Sequence, residues 1–220
     1  MPVSAALLKT VPLFATLPDD QLRALLPSIA RRSAPRGALV IAAGAPTDSL
    51  YIVVTGRLKV MMSDADGKEV ILAILGPGEF FGEMGLIDDH PRSASVVAME
   101  PCELLALSAR DFRRALADNF DMAMAVMKGL VRRLREADRK ISSLALLDVY
   151  GRVARLLLDM AEEVDGQKVV TRRLPKQDIA KMVGASREMV SRVMKDLQAG
   201  GYIEMRGATI VLRDTIARAE

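Results

Sequence analysis

The 220 residues carry 31 Lys and Arg against 28 Asp and Glu, a net charge of +3, with 50% hydrophobic and 27% charged residues. That balance excludes wholesale disorder and allows one large domain or two small ones. Aromatic residues make up only 4%, Trp is absent, and Cys102 and His90 are single. The core is therefore aliphatic, and a disulfide framework, a Cys-rich zinc site, a four-Cys iron–sulfur cluster and a two-His metal site are excluded.

No apolar run reaches the roughly 18 residues of a spanning helix. Residues 1–10 lack the basic region, apolar stretch and cleavage site of an export signal. No membrane role and a cytoplasmic location are expected. The charge is uneven: residues 168–195 hold eight basic side chains, Arg172, Arg173 and Lys181 among them, against Asp178 and Glu188, a local net of +6. Such a surface suits a polyanion, or is simply a solvated helical face.

Along the chain, Leu22, Leu25, Leu26 and Ile29 recur at helical spacing after Asp19 and Asp20, which cap the helix or complement its dipole. From Ala38 the period changes. Short apolar runs at 39–41, 50–54, 58–62, 70–75, 93–97 and 103–107 are separated by turn residues such as Gly44, Gly56, Asp66-Gly67 and Gly76-Pro77-Gly78. Six or more short strands at this spacing predict a small antiparallel barrel or sandwich. Ser108-Ala109-Arg110-Asp111 reads as a helix cap. A longer helix is predicted from near 119–121 to about Leu147. On it Met127, Leu130, Leu134, Ala137, Ile141 and Leu144 alternate spacings of three and four, with charges between. This seam packs on its own barrel or on an identical helix, and the charged remainder favours the homodimer.

A further amphipathic helix is predicted over 148–160, a turn at Asp165-Gly166 and a strand at Val169-Val170. Two helices broken at Gly184 follow Pro175. A hairpin over 202–212 then turns at Arg206-Gly207. The segment 175–192 has the layout of a helix-turn-helix. Ile179, Met182 and Val183 face inward, Gly184 permits the turn, and Ser186 caps a second helix held by Val190, Val193, Met194 and Leu197. Arg187, Glu188 and Lys195 are left outward, with Ser191 and Arg192 beside them. Arg can fork onto guanine O6 and N7, and Glu can accept from cytosine N4. The alternative is a helical hairpin with charged outer faces.

In the β-rich region, Gly82-Glu83-Met84-Gly85 is followed by Pro91-Arg92-Ser93-Ala94. Glycines let backbone N–H groups approach an anion, Arg92 offers a fork to phosphate oxygens and Ser93 a hydroxyl. Glu83 would repel phosphate but suits a ribose 2′-hydroxyl. The same residues equally fit a structural Glu83–Arg92 ion pair. Cys102 reads as buried in a strand, and His90 as part of an exposed turn.

Together these segments, with Leu50-Tyr51-Ile52-Val53, Gly56-Arg57-Leu58-Lys59-Val60 and Leu144-Ala145-Leu146-Leu147-Asp148-Val149, resemble the CRP/FNR family of transcription regulators over almost the whole chain. The resemblance implies an α+β fold. Its parts are a cyclic-nucleotide-binding β-roll (a double-stranded jelly-roll) over 1–118, a long dimerisation helix over 119–147 and a winged helix-turn-helix DNA-binding domain over 148–220. It implies that Gly82, Glu83, Met84, Arg92 and Ser93 bind a cyclic nucleotide, cAMP being favoured. It also implies that Arg187, Glu188 and Arg192 contact a TGTGA-type half-site of a palindrome, beside the capping Ser186. Lys176 and Gln177 match positions that touch backbone phosphate, and RNA polymerase is an implied partner.

One departure concerns the effector. The family's cAMP binders place a Thr-Ser pair against adenine, and the matching residues here are Ala137 and Asp138. Ala137 has no hydrogen-bonding side chain, and Asp138 can accept from adenine or from guanine N1–H and N2–H. A cyclic dinucleotide, c-di-GMP, is therefore an alternative effector. The family's cysteine-bound iron–sulfur and haem sensors do not fit one Cys and one His. An enzyme would have only Glu83, Arg92 and Ser93, without a base–nucleophile pair, and no catalytic residue, cofactor or metal is expected. A cyclic-nucleotide-binding module acting on a partner protein is disfavoured by the helix-turn-helix.

Overall fold

The protein is described from a computed structural model covering residues 3–172, 174–213 and 216. Arg173 of the basic run lies outside the described residues. The chain forms two compact units, divided after Arg133.

The first unit opens with α1 (Ala5–Lys9) and α2 (Asp19–Leu25). Asp19 and Asp20 lie in the first turn of α2 but supply no cap hydrogen bond, so they complement the dipole, and Asp19 Oδ1 also pairs with Lys9 Nζ at 2.5 Å. The predicted helix stops short of Ile29. Leu26–Ser28 tightens into a 3-10 turn around Pro27, and Ile29 begins β1 (Ile29–Ala34). Then come β2 (Leu39–Ile41), β3 (Ser49–Thr55), β4 (Leu58–Ser63), β5 (Glu69–Leu75), β6 (Phe80–Phe81), α3 (Met84–Ile87), β7 (Ser95–Ala98) and β8 (Cys102–Ser108). Ser93 precedes its predicted strand rather than opening it.

These strands make two antiparallel four-stranded sheets, in the orders β1-β8-β3-β6 and β2-β7-β4-β5. The two-residue period of a strand sends alternate side chains to opposite faces. In β3 and β8, Leu50, Ile52, Leu105 and Leu107 join Phe14, Leu22 and Phe112 in a core against the helices. Val53, Cys102 and Leu104 join Leu58, Leu75 and Val96 in the core between the sheets. Cys102 is thus enclosed, its Sγ 3.1 Å from Glu100 O.

α4 (Ala109–Asp118) starts as its sequence predicts, with Ser108 Oγ accepting from Asp111 N at 3.2 Å. α5 (Phe120–Leu146) follows, and Asn119 Oδ1 accepts from Met122 N. Met122, Val126 and Leu130 of α5 pack on the helical core of the first unit.

In the second unit, α5 continues into α6 (Val149–Met160), capped by Asp148 Oδ1 on Gly151 N at 2.8 Å. β9 (Glu162–Val164), β10 (Gln167–Val170), α7 (Lys176–Val183), α8 (Arg187–Ala199), β11 (Ile203–Arg206) and β12 (Thr209–Leu212) complete it. Gly184 ends α7 in the left-handed region, at φ +64°. The second unit's strands pair antiparallel in the order β11-β12-β10-β9. The final hairpin turns one residue later than predicted. Arg206 still pairs with Thr209, so the turn is Gly207-Ala208. Among the described residues no helix is long and apolar enough to cross a membrane.

Candidate functional site

Two places gather the predicted side chains. The first is the loop from β6 through α3 to β7. Gly82 has φ +82°, and a Cβ there would lie 2.4 Å from Arg92 Nη1, so only glycine admits this guanidinium beside the main chain. Arg92 is buried at 7% exposure. Its Nη1 donates to Gly82 O at 2.9 Å, and its Nη2 donates to Ser49 O at 2.8 Å and to Asp48 Oδ1 at 3.0 Å. Its guanidinium carbon sits 5.9 Å from the centre of the Tyr51 ring, which stacks on Phe81. Ser93 is exposed, its Oγ 3.8 Å from the exposed Met84 Sδ.

Glu83 is only 1% exposed, and its partner is not Arg92. Arg133 of α5 donates to Glu83 Oε1 at 2.5 Å and to Phe80 O, and lies over the Phe80 ring. The structural Glu83–Arg92 pair is therefore absent, replaced by Glu83–Arg133 and Arg92–Asp48. Asp48, Tyr51 and Arg133 escaped sequence reasoning. Arg133 is one basic residue among several on α5. The one signal was Gly129, a helix-breaking residue inside a helical pattern, where a Cβ would come within 2.7 Å of the Phe80 ring.

Gly82, Glu83, Met84, Arg92 and Ser93 thus share one loop region of the first unit, which holds a buried cation, Arg92, and a buried carboxylate, Glu83, each with its own counter-ion. Ala137 and Asp138 are exposed on α5, in the second unit. His90 is exposed in its turn, with Nδ1 2.7 Å from Asp88 O. Among the described residues, no three His, Cys, Asp or Glu side chains gather around a metal position.

The seam residues of α5 divide. Leu130 is half-buried and packs against the core of the first unit. Met127, Leu134, Ile141 and Leu144 are 45–65% exposed, and Ala137 is exposed with them.

The second gathering is the α7–α8 pair. Ser186 caps α8, its Oγ accepting from Met189 N at 3.1 Å. Val190, Val193, Met194 and Leu197 are buried, which turns Glu188, Arg192 and Lys195 outward, with Arg187 exposed in the first turn. Gln177 is exposed, and Lys176 Nζ donates to Ser191 Oγ at 2.8 Å, tying the start of α7 to α8.

A β-roll with a glycine-containing loop over a buried arginine, and a winged helix-turn-helix, are the parts of a DNA-binding regulator built on a ligand-binding module. Residues 31–119 match the cyclic nucleotide-binding domain and residues 151–217 the Crp-like helix-turn-helix domain. The chain is 39% identical over 188 residues to the cAMP-activated global transcriptional regulator CRP of Pasteurella multocida, covering 82% of this chain and 88% of that protein. It is 35% identical over 201 residues to the cAMP-activated global transcriptional regulator Vfr of Pseudomonas aeruginosa, covering 87% and 92%. Among solved structures, the c-di-GMP-responsive global regulator CLP of Xanthomonas campestris is 34% identical at a TM-score of 0.75, covering 90% of this chain and all of that one. The chain belongs to the CRP/FNR family. It is a cyclic-nucleotide-responsive transcription regulator and not an enzyme.

Proposed function

We propose that the chain is a cAMP-responsive regulator that acts as a homodimer on a palindromic DNA site with TGTGA-like half-sites, together with RNA polymerase. The observation that carries the effector reading is the buried Arg92 guanidinium, whose Nη1 donates to the carbonyl of Gly82, the residue just before the enclosed Glu83. Arg92, Ser93 and the backbone at Gly82 and Glu83 supply the phosphate side, Met84 flanks them, and Glu83 takes the ribose hydroxyl. Relatives named as cAMP-activated support adenine. The apolar, exposed Met127, Leu134, Ile141 and Leu144 support the two-fold partner. The outward Arg187, Glu188 and Arg192 behind the Ser186 cap support base reading, with Lys176 and Gln177 on phosphate.

Calorimetry tests the effector. Wild type should bind cAMP, and Arg92→Leu should lose most of that affinity. Ala137→Thr, which restores the family's adenine contact, should strengthen it. A second reading, control by c-di-GMP, is favoured by Ala137 and Asp138 and by the CLP relative. Tight binding of c-di-GMP with none of cAMP would select it and leave the DNA-binding reading untouched.

A further inference from the structure

Arg92 spends its fork inside the protein. A guanidinium has two two-pronged edges, Nε with Nη2 and Nη1 with Nη2. Both need Nη2, and both Nη2 hydrogens are engaged, one by Ser49 O and one by Asp48 Oδ1. Ser49 O belongs to strand β3, in register with Ser108 of β8, and is held by the sheet. Asp48 differs. Its main chain is anchored, its carbonyl accepting from Ala109 N at 2.8 Å. Its side chain is 77% exposed while the Arg92 side chain is 5% exposed. The one acceptor free to swing into water is also the one that carries a charge.

We propose that Asp48 is a built-in counter-ion of Arg92 that an incoming phosphate displaces, and that it sets the affinity of the site. The proposal rests on the reading of Arg92 as the phosphate anchor. A phosphate taken by either edge of the fork competes with the carboxylate for the same nitrogen. If the carboxylate stays nearby, the two anions repel. The carboxylate half of this pair already stands in water, so its release exposes no new buried acid, and the incoming phosphate takes over the buried guanidinium. Two like charges about 4 Å apart in a water-like dielectric cost about fivefold in affinity. Asp48 therefore holds the guanidinium in its binding orientation, and disfavours anions that do not bring further contacts to Glu83 and Ser93.

The test uses the full chain and three probes, cAMP, cGMP and c-di-GMP, titrated by calorimetry into wild type, Asp48→Asn, Asp48→Ala and Arg92→Leu. The probe that wild type binds through Arg92 should bind Asp48→Asn about fivefold more tightly. Asp48→Ala, which also frees Nη2, should gain at least as much. The melting temperature of both variants without probe should be equal to or below wild type, so that the gain in affinity does not come from a gain in stability. A probe that binds Asp48→Asn but not wild type also supports the proposal. Unchanged or weaker binding by both Asp48 variants, with wild-type binding lost in Arg92→Leu, overturns the counter-ion and keeps the effector reading. Binding indifferent to Arg92→Leu, or no probe bound by any variant, overturns both.

Discussion

Arg133 and Glu83, fifty residues apart in the chain, form an ion pair at 2.5 Å in which the Glu83 side chain is 2% exposed. Arg133 also donates to Phe80 O, so one guanidinium holds both strand β6 and the acid that follows it at Glu83. Removing Arg133 alone leaves a charge buried without its partner. Arg133→Ala should lower the stability of the protein by about 2–3 kcal/mol, below the range for fully buried pairs because Arg133 is partly exposed. Denaturant unfolding checks this. The double variant Glu83→Gln with Arg133→Ala should recover part of the loss, and purely additive effects would refute the coupling.

On the DNA side, Arg187→Ala or Glu188→Ala should cost roughly 1–3 kcal/mol on the matching sequence and relax preference at one base pair. Lys176→Ala should weaken all sequences alike and flatten the salt dependence. Because Lys176 is bonded to Ser191, Ser191→Ala provides a control: it removes the α7–α8 tie without removing the charge. Competition binding against base-substituted operators reads all four variants. An unaltered base preference in Arg187→Ala would refute its assignment.

The exposed seam of α5 predicts a dimer at micromolar concentration. Leu134→Asp sets a charge into it and should give monomers or aggregates in light scattering. A wild-type mass of a single chain would sink the idea.

Burial pushes the Cys102 thiol pKa up, with the nearby Glu100 carboxylate adding to the effect against the hydrogen bonds to Arg57 O and Glu100 O. The folded chain therefore keeps a proton that an unfolded chain releases near pH 8.5. This contribution to stability is complete below that pH and is progressively lost as pH rises through the folded value. Thiol-specific reagents at pH 8 should modify the unfolded protein fast and the native protein slowly. Equal rates would contradict the enclosed position.

Much of the fold was legible because its elements obey simple periods. Runs at 39–41, 58–62 and 70–75 fall within a residue of β2, β4 and β5. Ser108, Asp148 and Ser186 each cap a helix through a side-chain oxygen. Elements without a period were missed. β6 has two residues, Phe80 and Phe81, and reads as part of a Gly-rich loop. β1 presents four exposed residues in a row, so its sequence has no alternation to find. At the site, the loop glycines, Glu83, Arg92 and Ser93 could be found because they lie within a dozen residues. Arg133 and Asp48 come from distant parts of the chain, and only the packing of α5 and β3 brings them in.

Gly129 has a consequence for mechanics. An interior glycine weakens a helix by about 1 kcal/mol relative to alanine. Here it lets α5 sit flat on the Phe80 ring, where any larger residue would act as a wedge. One turn later Arg133 rivets the same helix to the carbonyl of Phe80 and to Glu83. Strand β6, the loop head and the 129–133 stretch of α5 are clamped into one rigid block with two fastenings. Any displacement of Glu83 would therefore act on α5 at Arg133, one residue ahead of Leu134, where the exposed seam resumes.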